Sequence, residues 1–391
     1  MSADKGVLVI IETLGAGGAE WALVNLAGEL KQRVGCLEVA VLHPPYTLQP
    51  QLESQGIPVH RLSISNPWYV WSGVARLRLL LKTRRFRIVH GHLFFGALHG
   101  SIAGSLSGGI VRVASFHNLG YASYPPKSVP QHARKMLDRL TMGHLVDGFL
   151  AVSNAVAAHY SDHLGLREVT VVPNALSQDL VDGALDVSPN RRRTATSHPT
   201  IVMPGRFVPE KGHAVLLQAV SRLEPEYPGI TVVLAGSGPL ENEIRSEAAE
   251  LGLAARVRFS GTVSREELFE MEREADLVAV PSLYEGFGLA AAEAMALGTT
   301  VVASDAGGLR ELINDSVTGR LARAGSVEEL ASVIRSVLSD KRAAATMEVA
   351  ARTYVAEHFA PGLVADQTVT FYDRLHRGGQ GRARRTGRSA S

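Results

Sequence analysis

Residues 277–297 read LVAVPSLYEGFGLAAAEAMAL. Leu277 to Val280 form a short, continuously apolar run, the pattern of a strand buried on both faces. Leu289 to Leu297 are apolar and alanine-rich, with the length of a helix. Between them lie Pro281, Gly286 and Gly288, residues that end regular structure. The stretch is therefore a strand–loop–helix unit, the building block of a parallel α/β sheet. In such sheets ligands bind at the carboxyl ends of the strands, where this loop falls.

The unit recurs on both sides. In the second half, strands are expected at Ile201–Pro204, Thr231–Ala235, Val257–Phe259 and Thr300–Ala303. Helices are expected at His213–Leu223, Leu240–Leu251, Glu266–Glu274 and Val327–Leu338. The first half repeats the alternation, with strands at Val7–Ile11, Leu37–Leu42, Ile88–His90, Ile110–Ser115, Gly148–Val152 and Val169–Val172. Its helices are expected at Ala19–Lys31, Gly73–Arg84, Ala97–Leu106, Gln131–His144 and Asn154–Leu164. Residues 188–199, SPNRRRTATSHP, interrupt the pattern and read as a linker. The prediction is α/β: two doubly wound Rossmann-like domains, residues 1–187 and 200–355, facing a central cleft. A helix over 356–377 is expected to pack back on the first domain, and the basic, glycine-rich residues 378–391 to be disordered.

Composition agrees with that architecture. At about 150 residues per domain, 391 residues suggest two or three domains. Hydrophobic residues make up 46% and charged residues 20%, which excludes a disordered chain. A net charge of +2 gives no bulk electrostatic case for nucleic acid. Cys36 is the only cysteine, so no intrachain disulfide forms, as in a reducing compartment. The N-terminal apolar run spans five residues and leads into glycines, unlike a signal peptide. No stretch reaches the roughly 20 apolar residues of a membrane span. The expectation is a cytoplasmic protein. The basic, amphipathic helix 73–84 follows Trp68, Tyr69 and Trp71, which adds the alternative of peripheral contact at the inner membrane face.

Several residues carry chemistry. Arg206 and Lys211 follow the strand Ile201–Pro204, and two cations at a strand's carboxyl end suit a diphosphate. Gly286 and Gly288 free backbone amides at a helix N-terminus to hold phosphate oxygens. Glu285 and Glu293 lie on either side of that helix start, and a carboxylate accepts hydrogen bonds from sugar or ribose hydroxyls. Glu293 sits among alanines, where a carboxylate must be paired or bound. The first βα turn holds Gly15, Gly17 and Gly18, but Glu20 stands where a dinucleotide fingerprint needs its third glycine. His90, His92 and His117 lack a carboxylate or cysteine to complete a metal site. No metal or other cofactor is expected.

These motifs resemble the retaining glycosyltransferases of family GT4, which have the two-domain GT-B fold. The resemblance rests on the E-x7-E element of Glu285 and Glu293; on Gly205 and Arg206 with Glu210, Lys211 and Gly212; on Ala235, Gly236, Gly238 and Pro239; on Gly307 and Gly308; and on Gly17, Gly18, Ala19 and Glu20. It covers most of residues 7 to 375. It implies that Arg206 and Lys211 bind the donor diphosphate and stabilise the leaving nucleotide. Glu293 would hold the ribose, and Glu285 the donor sugar. Gly236 and the segment Gly286, Phe287, Gly288 and Leu289 would line the nucleotide-sugar site, with Gly17 and Gly18 closing on the phosphate from the first domain. His117 matches the family's cleft histidine near the reacting sugar. Departures occur at Ala175 and Ser177, where the family often carries a glycine and an acid, and at Arg87 and Thr300.

The implied activity is transfer of a hexose-type sugar from a UDP- or GDP-linked donor to a hydroxyl of a small-molecule or lipid acceptor, with retained anomeric configuration. Acceptor choice falls to loops such as 66–71 and 120–130. A nucleotide-sugar epimerase of related fold and a non-catalytic nucleotide-sugar binder are the alternative readings.

Overall fold

The computed structural model describes residues 6–66, 69–84, 86–123, 129–186 and 198–386. Trp68, Arg85, most of the expected linker and the last five residues fall outside this range. The chain forms two compact units, residues 1–177 with 361–391, and residues 178–360.

The first unit contains β1 (Gly6–Ile11), α1 (Gly18–Val34), β2 (Leu37–Val41), α2 (Gln49–Ser54), β3 (Val59–Arg61), α3 (Val70–Thr83) and β4 (Phe86–His92). It continues with α4 (Leu93–Ser105), β5 (Val111–Phe116), α5 (Gly120–Ser123), α6 (Val129–Leu145), β6 (Gly148–Ala151), α7 (Asn154–Leu164) and β7 (Val169–Val171). The strands pair in parallel in the order β3-β2-β1-β4-β5-β6-β7. Every residue of β1 is buried, because helices cover both faces. One face carries Val7, Val9 and Ile11 against α1, the other Leu8 and Ile10 against α3 and α4. Strand order reverses between β1 and β4, and a doubly wound sheet opens a binding crevice at such a point.

The second unit contains α8 (Gln178–Leu185), β8 (Thr200–Pro204), a 3₁₀ turn at Pro209–Lys211, α9 (His213–Leu223), β9 (Thr231–Ala235), α10 (Glu241–Glu250), β10 (Val257–Gly261) and α11 (Arg265–Glu274). Then follow β11 (Leu277–Val280), α12 (Leu289–Ala296), β12 (Val301–Ser304), α13 (Leu309–Leu312), β13 (Arg320–Ala322), α14 (Val327–Ser339) and α15 (Lys341–Phe359). Its parallel sheet runs β10-β9-β8-β11-β12-β13, reversing between β8 and β11. The final helix, α16 (Pro361–Thr386), belongs to the first unit and packs on α1. Arg33 Nε and Asp366 Oδ1, 2.7 Å apart, pin that contact.

The units part before residue 178, ahead of the linker expected at 188–199. The reason is that α8 buries Leu180, Val181 and Ala184 and packs on α15 and α12 of the second unit. The expected C-terminal helix starts later, at Pro361, a residue suited to a first helical position. It also runs through residue 386, so 378–386 are helical where disorder was expected. β3 and β13 were not anticipated. Each is a three-residue edge strand carrying an arginine, and neither makes an apolar run.

Candidate active site

In the second unit the sequence-predicted residues meet where the strand order reverses. Arg206 follows β8, while Glu285 follows β11, its neighbour across the reversal. Lys211 Nζ donates to Glu285 Oε2 at 2.8 Å, and Ser282 Oγ donates to the same oxygen at 3.2 Å. Arg206 stays apart from them. Its side chain is 75% exposed and lies 3.9 Å from Glu210 Oε1. A cation so placed is free to swing toward an anion at the strand ends.

Glycines hold these loops together. Gly212 has φ +74°, and a Cβ there would lie 2.1 Å from the Pro281 carbonyl oxygen. Only glycine lets the loop after β8 lie this close to the loop after β11. Gly236 does the same for the loop after β9: its Cβ would lie 2.0 Å from the Gly205 carbonyl oxygen. Gly308 N donates to the Glu285 carbonyl at 3.0 Å, which ties the loop after β12 to residue 285.

Gly288, at φ +98°, is the N-cap of α12, and no side chain caps this helix. The backbone amides at Leu289 and the next residues therefore lack a side-chain acceptor at a positive helix end. Phe287 is buried and meets Phe359 edge to face at 5.3 Å, which anchors the loop preceding the helix. The cradle of Gly286, Phe287, Gly288 and Leu289 is thus built, and its shape suits a phosphate.

Glu293, on α12, is 7% exposed and ion-paired with Arg265 Nη2 from α11. It makes no hydrogen bond to Lys211 or Glu285, so the two carboxylates of the E-x7-E element hold separate cations. Burial raises the Glu293 pKa, and Arg265 opposes that shift. Arg265 had no signal in the sequence, since it opens an ordinary capping box (Ser264 with Glu267) on a polar helix. Ser282 and Glu272 were missed too.

In the first unit, Gly17 is the N-cap of α1. A Cβ on it would lie 2.5 Å from Glu20 Oε2, whereas one on Gly18 would meet nothing within 4 Å. Glu20 Oε1 accepts from Thr13 Oγ1 at 2.8 Å, so this helix end already carries a carboxylate. His117 follows β5. Its Nε2 lies 2.9 Å from His92 Nδ1, and the two rings stack. His90, beside His92, uses both ring nitrogens, Nδ1 with the Tyr372 hydroxyl and Nε2 with Ser115 Oγ, each at 2.6 Å. Burial pushes His117 down to about 4 and His90 to about 3, so the cluster is neutral. The Asn174 side chain works against the shift at His117. Asn174 lies in the segment that departs from the family pattern, yet it lines the same small cavity, about 30 Å³, as His90, His92 and His117. Among the described residues no group of three or more histidine, cysteine or carboxylate side chains is arranged to hold a metal. No helix among them is long and apolar enough to cross a membrane.

A strand-reversal crevice, a bare helix N-terminus and cations on adjacent loops define an α/β protein built to hold an anionic, phosphate-bearing ligand, and comparison with known proteins places it. Residues 16–180 match Glycosyltransferase Family 4, and residues 187–354 match Glycosyl transferases group 1. The chain is 31% identical over 342 residues to the D-inositol 3-phosphate glycosyltransferase of Mycolicibacterium smegmatis, covering 82% of this chain and 76% of that protein. It is 30% identical over 249 residues to the uncharacterized glycosyltransferase YqgM of Bacillus subtilis, covering 64% of this chain and 67% of that one. The crystal structure of Anabaena HepE in complex with UDP-glucose is similar over 94% of this chain and 99% of that one, with a TM-score of 0.79 at 22% identity. The chain belongs to glycosyltransferase family 4 and is a glycosyltransferase. Its fold class is GT-B, two parallel-sheet Rossmann-like α/β domains.

Proposed function

We propose that the protein transfers a hexose from a nucleoside-diphosphate donor, UDP-linked in the first instance, to an acceptor hydroxyl with retention at the anomeric carbon. One observation carries this reading: Lys211 reaches Glu285 across the strand reversal beside the uncapped N-terminus of α12. The diphosphate would lie at that helix end, where its charge meets Lys211, Arg206 and the backbone amides. As the bond to the sugar breaks, the growing charge on the leaving phosphate is met by groups already in place. No metal has a role in this scheme. Glu285 would accept hydroxyls of the sugar, and Glu293 those of the ribose. His117, neutral and braced by His92, would sit at the sugar's reacting face, with Gly17 and Gly18 on the phosphate side. The UDP-linked donor is supported by HepE, whose structures hold UDP and UDP-glucose.

A lipid acceptor reached by peripheral contact at the inner membrane face of the cytoplasm is supported by α3. Trp71 and Leu79, eight residues apart on one side of this helix, are 73% and 64% exposed, and the cation Lys82 shares that side.

The test is calorimetric titration with UDP, GDP and ADP, with and without a chelator, on the protein and on Glu293→Ala. Binding of UDP that survives chelation and is lost in the variant supports the reading. Equal binding by the variant overturns the ribose assignment. Product formation from the donor without any acceptor would instead point to an epimerase.

A further inference from the structure

Glu272 lies on α11 and is fully buried. Neither of its carboxylate oxygens has a hydrogen-bond partner among the described residues. Its backbone carbonyl is used, accepting from Thr299 Oγ1 at 2.7 Å. An ionised carboxylate in such surroundings is costly, and the protonated acid is favoured.

The neighbours of Glu272 are those of the nucleotide site. From α12 it faces Glu293, and from its own helix Arg265 and Arg273. β8, TIVMP, also packs on α11 and carries no charge. Burial and the Glu293 charge push the Glu272 carboxyl well above its ordinary value, against the pull of the two arginines. Arg265 and Glu272 are seven residues apart, nearly two helical turns, and so share one face of α11. The guanidinium paired with Glu293 therefore has a second carboxyl on its own helix face.

We propose that Glu272 is a positioning residue for nucleotide binding: uncharged, it leaves Arg265 to hold Glu293, and ionised, it competes for Arg265 and adds a second buried negative charge behind the site. This rests on Glu293 as the ribose-binding residue. An anionic nucleotide then binds best while Glu272 is protonated. Once pH rises past its titration, each further unit weakens UDP about tenfold, as one linked proton requires.

The test is UDP titration across the protein's stable pH range for the wild type, Glu272→Gln and Glu293→Ala. Infrared spectra of the UDP-free protein in deuterated buffer provide a second readout. The expected result is a protonated-carboxyl band at neutral pH that Glu272→Gln removes, and an alkaline loss of UDP affinity that the same variant abolishes. A wild type without that band, or without the alkaline loss, overturns the proposal even if the variant fails to fold. So does a Glu272→Gln profile that matches the wild type while Glu293→Ala still loses UDP. If Glu293→Ala binds UDP normally, the ribose assignment has failed and the proposal falls with it, and this outcome is distinct because the infrared band is untouched.

Discussion

Lys211 and Glu285 are separated by 74 residues in the chain and by 2.8 Å in the structure. The pair joins the loops after β8 and β11, neighbouring strands in the sheet although they are the first and fourth of their unit. Each side chain is partly exposed, so the pair remains open to a ligand. Lys211→Ala is expected to lower kcat for transfer by about 10²- to 10³-fold, the loss seen when one preorganised charge-stabilising group is removed. Steady-state rates on the purified variant check this, and an unchanged kcat rules out a leaving-group role.

Arg265 and Glu293 form the buried counterpart. Arg265→Met leaves a buried carboxylate without its cation and is expected to destabilise the protein by about 3 to 5 kcal/mol. Adding Glu293→Leu should restore much of that loss, because the stranded charge is gone. Urea unfolding of the single and double variants measures the coupling, and strictly additive losses would mean that the pair does not interact.

Gly212→Ala should damage folding and binding together. A Cβ at φ +74° that would lie 2.1 Å from the Pro281 carbonyl oxygen forces the two loops apart. A strain of about 1 to 3 kcal/mol is expected. The variant should melt lower and bind UDP more weakly, and a variant with wild-type melting and affinity would show that the loops do not need this approach.

The histidine cluster sets an acid limit. His90 and His117 have folded pKa values near 3 and 4, below the ordinary 6.5. A base with a depressed folded pKa binds fewer protons when folded, so its contribution is complete above the unfolded pKa. It is lost as pH falls from about 6.5 toward those lower values. Melting temperature should therefore drop on acidification, and His90→Gln should flatten the slope. A slope identical in the variant would place the acid sensitivity elsewhere.

The exposed side of α3 gives a prediction about the acceptor. If Trp71, Leu79 and Lys82 meet a bilayer, the protein should sediment with vesicles of phosphatidylcholine and phosphatidylglycerol but not with phosphatidylcholine alone. Trp71→Ser with Leu79→Ser should abolish sedimentation, and rising salt should weaken it. Binding to neither vesicle favours a small-molecule acceptor, whereas equal binding to both would mean that the apolar side chains suffice and Lys82 is not needed.

The sequence by itself determined the alternation of buried strand and helix, and therefore the two parallel sheets. It also determined which loops carry glycine and charge, since those residues stand at fixed offsets from apolar runs such as Leu277–Val280. These are local properties, written in periods of a few residues. Tertiary structure decided the rest. No local pattern marks Val59–Arg61 or Arg320–Ala322 as strands, because edge strands need no continuous apolar run. Nothing near α8 reveals that its apolar face belongs with α15, more than 150 residues away, or that the chain returns to the first unit at Pro361. Glu293 read as a carboxylate that must be paired or bound to a ligand, and the structure supplies the partner that no local pattern names, Arg265 from another helix. Burial and ion pairing are sums over distant segments brought together by packing, so the causes that shift the pKa values of Glu272, Glu293 and His117 exist only in three dimensions.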